Sequence, residues 1–371
     1  MASKPANLYN DTRAARKVIV VDFGFLGDTL HLLPALWEIR RHYPQAELHV
    51  LTTPIGKAVL KLMSGVTRAW AVELDRHRRT LRQQWDTIRA LRRERFDVAF
   101  NFSGADRTIL WTAIIGVRQR VAHAGGRHHF WNSWLISNWV PRQPAGMPVF
   151  EQRRQILAAC GLRLAVPRWD LSVPEDARQN AAALVVQGTI HLSICASSPL
   201  KEWPLANWVE FVKRMLATHP QLRIAATAGR PPREREKVLS LAAAVANERL
   251  TTLTSLSIGE LAAVLWRCRV HVGADSGVLH LAVAVGLPTV SLFRDYHDAS
   301  AWTPPGPLHR VFRAPCVCVN QREQPCAPAQ HADCLARLEV GAIEAAVHEL
   351  LVKTKSPPEP IVPLDLYPKD L

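Results

Sequence analysis

Short aliphatic and β-branched runs alternate with longer amphipathic stretches along most of the chain, the pattern of parallel sheets covered by helices on both faces. In the first half, residues 18–22, 48–52, 69–74 and 97–102 read as buried strands with helical segments between them. The pattern restarts with a strand at 190–195, a helix around 208–218, a strand at 223–227, a helix around 235–246 and a strand at 270–273. Two doubly wound α/β domains are predicted. Pro167 and Pro174 interrupt the pattern between Val166 and Gln187, so the join falls there, with one domain over 16–175 and the other over 176–354. Residues 1–15 read as a flexible tail and 355–371 as a Pro-rich one, with Pro357, Pro358, Pro360, Pro363 and Pro368. There is no internal sequence repeat. Two such domains facing each other make a cleft, a preferred place for ligands.

Composition narrows the class. The 371 residues are 48% hydrophobic and 21% charged, enough for two cores and unlike a disordered chain. No apolar run approaches the ~18 residues of a membrane span, and 18–21 is too short even for a signal-peptide core, so the protein is expected in the cytosol. Through Glu175 there are 26 Lys and Arg against 14 Asp and Glu, and beyond it 20 against 18, so the basic character belongs to the first half. Arg76, Arg78, Arg79, Arg82, Arg89, Arg92, Arg93 and Arg95 gather around a helical segment whose apolar stripe is Leu81, Trp85, Ile88 and Leu91. Any one of these arginines fits a solvated helix face; together they suit an acidic partner such as a phosphorylated glycolipid or an anionic membrane surface. Nucleic acid fits poorly, because the basic residues do not alternate with stacking aromatics.

The seven cysteines are expected as reduced thiols, with Cys160, Cys195 and Cys268 in the core. Cys316, Cys318, Cys326 and Cys334 lie near His331, but they lack the C-x2-C spacing of structural zinc sites.

Candidate chemistry sits where apolar strands turn into helices. Gly27-Asp28 ends the first strand's turn, where an aspartate either caps the helix or stays ionised to accept a proton from a substrate hydroxyl. Gly273-Ala274-Asp275-Ser276-Gly277 follows a strand and opens an apolar helix containing His280, so its backbone amides suit an anion. Asp275 and Ser276 equally fit a cap of that helix, and His280 a core position. Ser197, Ser198 and Lys201 follow the first strand of the second domain, and Lys201 suits a leaving phosphate. Gly229 permits a turn near the same edge, with Glu234 or Glu236 either reaching a ribose or lying at the surface.

Together these blocks resemble glycosyltransferase family 9, the bacterial ADP-heptose:lipopolysaccharide heptosyltransferases, over residues 17–351 and in the family's order. The matching blocks are Gly27-Asp28 continuing through Pro34-Ala35-Leu36 to Tyr43-Pro44, Lys201-Glu202-Trp203-Pro204, the segment 273–293, and the cysteine-bearing stretch 315–335. The resemblance implies a GT-B architecture, two Rossmann-like domains facing across a cleft, with acceptor on the first and nucleotide sugar on the second. It implies Asp28 as general base in an inverting transfer of heptose from ADP-heptose to a lipopolysaccharide core (lipid A-Kdo type) acceptor. Lys201 with Ser197 nearby would bind the diphosphate, and Asp275, Ser276, Gly277 and His280 would form the donor loop. No metal or cofactor is implied, and the sequence has no D-x-D pair. The partners implied are ADP-heptose and an anionic glycolipid, with peripheral contact at the inner face of the inner membrane and no nucleic acid. The alternatives are another nucleotide sugar or acceptor, or a noncatalytic sugar-nucleotide-binding protein. The chain departs from the pattern at Asp22, six residues before Asp28, where some lipopolysaccharide enzymes carry a basic residue, and at Arg294-Asp295, where a glycine is common.

Overall fold

The structure, a computed structural model, describes residues 7–74, 80–123, 132–169, 171–296, 299–316, 318, 326–330 and 332–354. The chain divides into two compact units, Met1–Ser172 and Val173–Leu371. Arg76, Arg78, Arg79, His331 and the segment 355–371 lie outside the described residues.

The first unit carries six parallel strands: β1 (Lys17–Val21), β2 (Glu47–Thr52), β3 (Arg68–Ala71), β4 (Val98–Asn101), β5 (Gln119–His123) and β6 (Asn138–Val140). Their order is β3-β2-β1-β4-β5-β6, so the chain reverses direction across the sheet between β1 and β4. β1 registers with β2 through Val18↔Leu48 and with β4 through Val18↔Val98. Helices Leu26–His42 and Val149–Ala159 pack together on this unit, and His31 of the first lies flat against Phe150 of the second, ring centroids 6.2 Å apart.

The second unit holds β7 (Thr189–Ser193), β8 (Ile224–Ala228), β9 (Leu250–Thr254), β10 (Cys268–Ala274), β11 (Thr289–Asp295) and β12 (His309–Pro315), also all parallel. The order β12-β11-β10-β7-β8-β9, read from the other edge, reproduces that of the first unit strand for strand. Each unit is therefore a Rossmann-like doubly wound domain, whose ligands characteristically bind beyond the carboxyl ends of the strands at the reversal, β1/β4 and β7/β10. The core of the second unit centres on Trp203, Trp208, Phe211 and Met215, all fully buried.

Some elements differ from the sequence reading. Residues 8–12, placed in a tail, form helix Leu8–Thr12. Leu8 is buried, Thr12 Oγ1 shares a hydrogen bond of 2.9 Å with Tyr43 Oη, and Tyr9 stacks edge-on with Tyr43, so one turn of chain is tied to the sheet-facing helix. In helix Leu81–Glu94, Thr80 and Gln83 form a capping box. Ile88 and Leu91 of the expected stripe pack into the core, whereas Trp85 is 59% exposed. Among the described residues, no helix is long and apolar enough to cross a membrane.

Candidate functional site

At the end of β1, Asp22 is buried, its amide donating to Leu51 O of β2 at 3.0 Å. Its Oδ1 accepts the Gly24 N–H at 2.8 Å, which bends the chain sharply toward helix Leu26–His42. Gly24 is required by crowding: a Cβ there would stand 2.1 Å from Asp28 Cβ and 2.9 Å from Asp22 Oδ1. Asp28 occupies the third helical position, with Phe25 as the cap residue, so it is not itself the cap. Its Oδ2 accepts the Phe25 N–H at 2.9 Å, and its carboxylate remains 30% exposed. Charge near the amino end of a helix is favourable for such a carboxylate.

Arg153, absent from the sequence-based candidates, completes this cluster. Its Nη2 lies 2.8 Å from Asp22 Oδ2 and 3.9 Å from Asp28 Oδ1, and its Nη1 donates to the Asp28 carbonyl. Burial pushes the Asp22 carboxyl up from its ordinary value, against the opposing pull of Arg153 and the Gly24 amide.

In the second unit, Lys201 ends the short turn Pro199–Lys201 after β7, where the Ser198 side chain accepts the Leu200 N–H. Lys201 Nζ pairs with Asp275 Oδ2 at 2.7 Å, and Tyr296 Oη donates to the same oxygen at 3.3 Å. The ammonium also stands 5.6 Å from the Tyr296 ring centroid. Asp275 is buried and Lys201 32% exposed, so the pair presents its cation outward. Ser276 is the cap residue of helix Gly277–Ala284, but its hydroxyl makes no capping bond, and Asp275 is held by Lys201 instead. Ser197 is exposed in the loop, outside that contact. His280 is buried, its ring 5.6 Å from that of Trp302.

Glu202, in the sequence only a member of the Lys201-Glu202-Trp203-Pro204 block, has a role with Arg233 and Lys237, which the sequence did not single out. Buried Glu202 accepts the Ala196 N–H at 2.8 Å and pairs with Arg233 at 2.7 Å and Lys237 at 2.8 Å, pinning the loop that carries Ser197 and Lys201. Trp203 then plugs the core beside Trp208. Thus in the run Lys201-Glu202-Trp203 one side chain faces the neighbouring loop and the next two secure the turn. Glu234 accepts the Gly229 N–H at 2.9 Å and Glu236 is exposed.

Cys160, Cys195 and Cys268 are buried, and burial pushes the first two thiols up to about 12. Cys318 and Cys326 bring their sulfurs to 3.3 Å, while Cys334 neighbours Cys316, which accepts from Arg294 at 3.5 Å. Glu47, His49 and Glu94 gather ligand atoms within 4.8 Å of one another, but Lys17 Nζ already lies 2.6 Å from Glu94 and 3.3 Å from Glu47.

Comparison with known proteins bears on the chemistry these loops serve. The lipopolysaccharide core heptosyltransferase OpsX of Haemophilus influenzae is 22% identical over 306 residues, 81% of this chain and 85% of that protein. Lipopolysaccharide heptosyltransferase 1 of Pseudomonas aeruginosa is 28% identical over 296 residues, 75% of this chain and 78% of that one. Among solved structures, the E. coli heptosyltransferase WaaC with ADP superposes with a TM-score of 0.72 at 18% identity, covering 90% of this chain and 99% of that one. The profile of glycosyltransferase family 9 (heptosyltransferase) matches residues 84–332, most of the chain. On that match, joined to its two Rossmann-like units of the GT-B class, the chain belongs to glycosyltransferase family 9 and is a glycosyltransferase.

Proposed function

We propose that this enzyme transfers heptose from ADP-heptose to a lipopolysaccharide core acceptor of the lipid A-Kdo type, with inversion at the anomeric carbon. The observation that carries the chemistry is Asp28, a part-exposed carboxylate at the strand-to-helix turn beside the β1/β4 reversal. Asp28 accepts the proton of the acceptor hydroxyl while that oxygen forms its bond to the anomeric carbon. The bond from that carbon to the diphosphate breaks, and its electron pair leaves with ADP. Lys201 offsets charge growing on the departing diphosphate, and the amides opening helix Gly277–Ala284 hold the donor beside Ser276 and Gly277. Ser197 and His280 belong to the same donor-binding set. The scheme calls for no metal or cofactor.

The ADP-heptose assignment is supported by the names of the relatives and by the ADP in the WaaC structure. The acceptor assignment is supported by the basic first half and by exposed Arg82, Arg89, Arg92 and Arg93 on helix Leu81–Glu94. Each such cation near an anionic surface contributes about 1 kcal/mol, enough in sum for peripheral contact with the inner face of the inner membrane.

Calorimetric titration with ADP, UDP, GDP and ADP-heptose in EDTA, followed by incubation with ADP-heptose and a lipid A-Kdo acceptor, tests the proposal. Selective binding of ADP and ADP-heptose, with a heptosylated product by mass spectrometry, is expected. Preference for UDP or GDP moves the donor assignment, and no nucleotide binding points to a noncatalytic protein.

A further inference from the structure

Helix Val149–Ala159 presents two consecutive arginines to helix Leu26–His42, and they do different work. Arg154 pairs with Glu38 at 3.2 Å and also donates to the Ala165 carbonyl. Glu38 is fully buried and accepts the Ala165 N–H at 2.7 Å as well, so this arginine fixes the two helices to each other. Arg153, next along, reaches the first turn of helix Leu26–His42. Its guanidinium, almost entirely buried, bridges Asp22 at 2.8 Å, the Asp28 carbonyl, and the vicinity of the Asp28 carboxylate at 3.9 Å. One arginine thus faces two carboxylates, and the buried one holds it closer. Asp22 also ties down the Gly24 amide, so chain bend, arginine and helix start form one unit.

We propose that Arg153 is a positioning residue for Asp28: anchored by Asp22 and bonded to the Asp28 carbonyl, it fixes the first helical turn and with it the orientation of the part-exposed Asp28 carboxylate. This rests on Asp28 acting as the base. A tighter pair with Asp28 would cover the oxygen that has to reach a substrate hydroxyl, whereas loss of Arg153 would release the first helical turn and leave buried Asp22 without its cation. An arginine drawn to Asp22 at 2.8 Å and reaching the Asp28 carboxylate only at 3.9 Å avoids both. The other charged groups around the helix start are committed elsewhere or exposed: Glu151 pairs with Arg154, His31 stacks on Phe150, and Lys57 of helix Pro54–Leu60 is exposed.

Turnover measured beside ADP affinity and melting temperature in two variants tests this. Arg153→Met removes the anchor of the first helical turn, and kcat is expected to fall on the order of 100-fold. Asp22→Asn loosens Arg153 from its buried partner, so kcat is expected to fall in the same direction by on the order of 10-fold. Arg153→Lys, which keeps the charge, recovers part of the kcat lost in Arg153→Met, and Asp22→Asn carries the test if Arg153→Met does not fold. ADP affinity stays unchanged in all three. Wild-type kcat in Asp22→Asn and in Arg153→Met, or a loss of kcat matched by an equal loss of ADP affinity, would overturn the positioning role. If Asp28→Asn turns over normally, the base assignment itself has failed; if that variant is inactive while the Arg153 and Asp22 variants keep wild-type kcat, only the role of Arg153 has.

Discussion

Asp28 in the first unit and Asp275 in the second each follow a central strand, and each has a cation within reach. The separations are 3.9 Å from Arg153 Nη2 to Asp28 Oδ1 and 2.7 Å from Lys201 Nζ to Asp275 Oδ2. Exposure runs the other way: the Asp28 carboxylate is 30% exposed and that of Asp275 only 7%. Two aspartates beside the reversal of their sheets, one after β1 and the other after β10, the counterpart of β4, therefore serve as different kinds of group. Asp275 neutralises and aims a lysine, leaving the cation as the outward-facing charge. Asp28 keeps its own charge outward, because a second aspartate, Asp22, takes the arginine.

Gly24→Ala attacks the first half of that contrast. A Cβ 2.1 Å from Asp28 Cβ displaces the carboxylate, and a misplacement near 1 Å is expected to lower kcat on the order of 100-fold. ADP affinity should not change; an active Gly24→Ala enzyme would mean that the position of Asp28 is immaterial. Lys201→Ala attacks the second half and leaves Asp275 without its ammonium. ADP binding is expected to weaken about 10-fold, ~1.4 kcal/mol, by titration. Unchanged affinity for both ADP and the donor sugar nucleotide would remove Lys201 from the phosphate role.

A smaller effect separates the units by stability. His191 of β7 and His271 of β10 share a buried Nδ1···Nδ1 hydrogen bond of 2.8 Å, with no such pair across β1/β4 among the described residues. Burial pushes His191 down to about 3 and His271 well below its ordinary value, so both rings are neutral in the folded protein. The unfolded chain takes up protons at these rings as pH falls below about 6.5, so stability is lost through that window at roughly 1 kcal/mol or more per pH unit. Above it, the pair contributes no pH dependence. Hydrogen exchange at pH 7.5 and pH 5.5, corrected for intrinsic rates, should show protection lost in β7 and β10 before β1 and β4. Equal loss in both units would rule the histidine pair out as the cause.

The central strands were legible because burial on both faces makes a continuous apolar run: β1, β4, β7 and β8 each have four or five buried positions. Strands β5, β6, β9 and β12 were missed for the converse reason, whereas edge strand β3 was read within 69–74 and β11, buried at six of its seven positions, was not read as a strand. β6 has three residues, and β9 and β12 are largely half-exposed, so their polar positions read as loop. β5 is buried at only two of five positions. The shared strand order has no counterpart in the sequence, since topology is set by where apolar runs fall and not by which apolar residues fill them.

Asp28, Lys201 and Asp275 were visible because strand ends, glycines and charge coincide locally. Arg153 comes 125 positions after Asp28, so no local spacing links them. A signal did exist: Arg153 and Arg154 lie between Phe150 and Leu157 on the buried face of an amphipathic helix, and a buried arginine must find an anion. The aspartate at position 22, where some lipopolysaccharide enzymes of the family carry a basic residue, was the other half of that signal. The cation comes instead from a different helix.

The division of labour between the units is tested most directly by measuring turnover and ADP affinity together in Asp28→Asn. The expected result is kcat reduced about 10²- to 10⁴-fold with ADP bound as tightly as by the wild type. More than about a tenth of the wild-type rate, or a parallel loss of ADP affinity, would contradict the assignment of proton transfer to the first unit and nucleotide binding to the second.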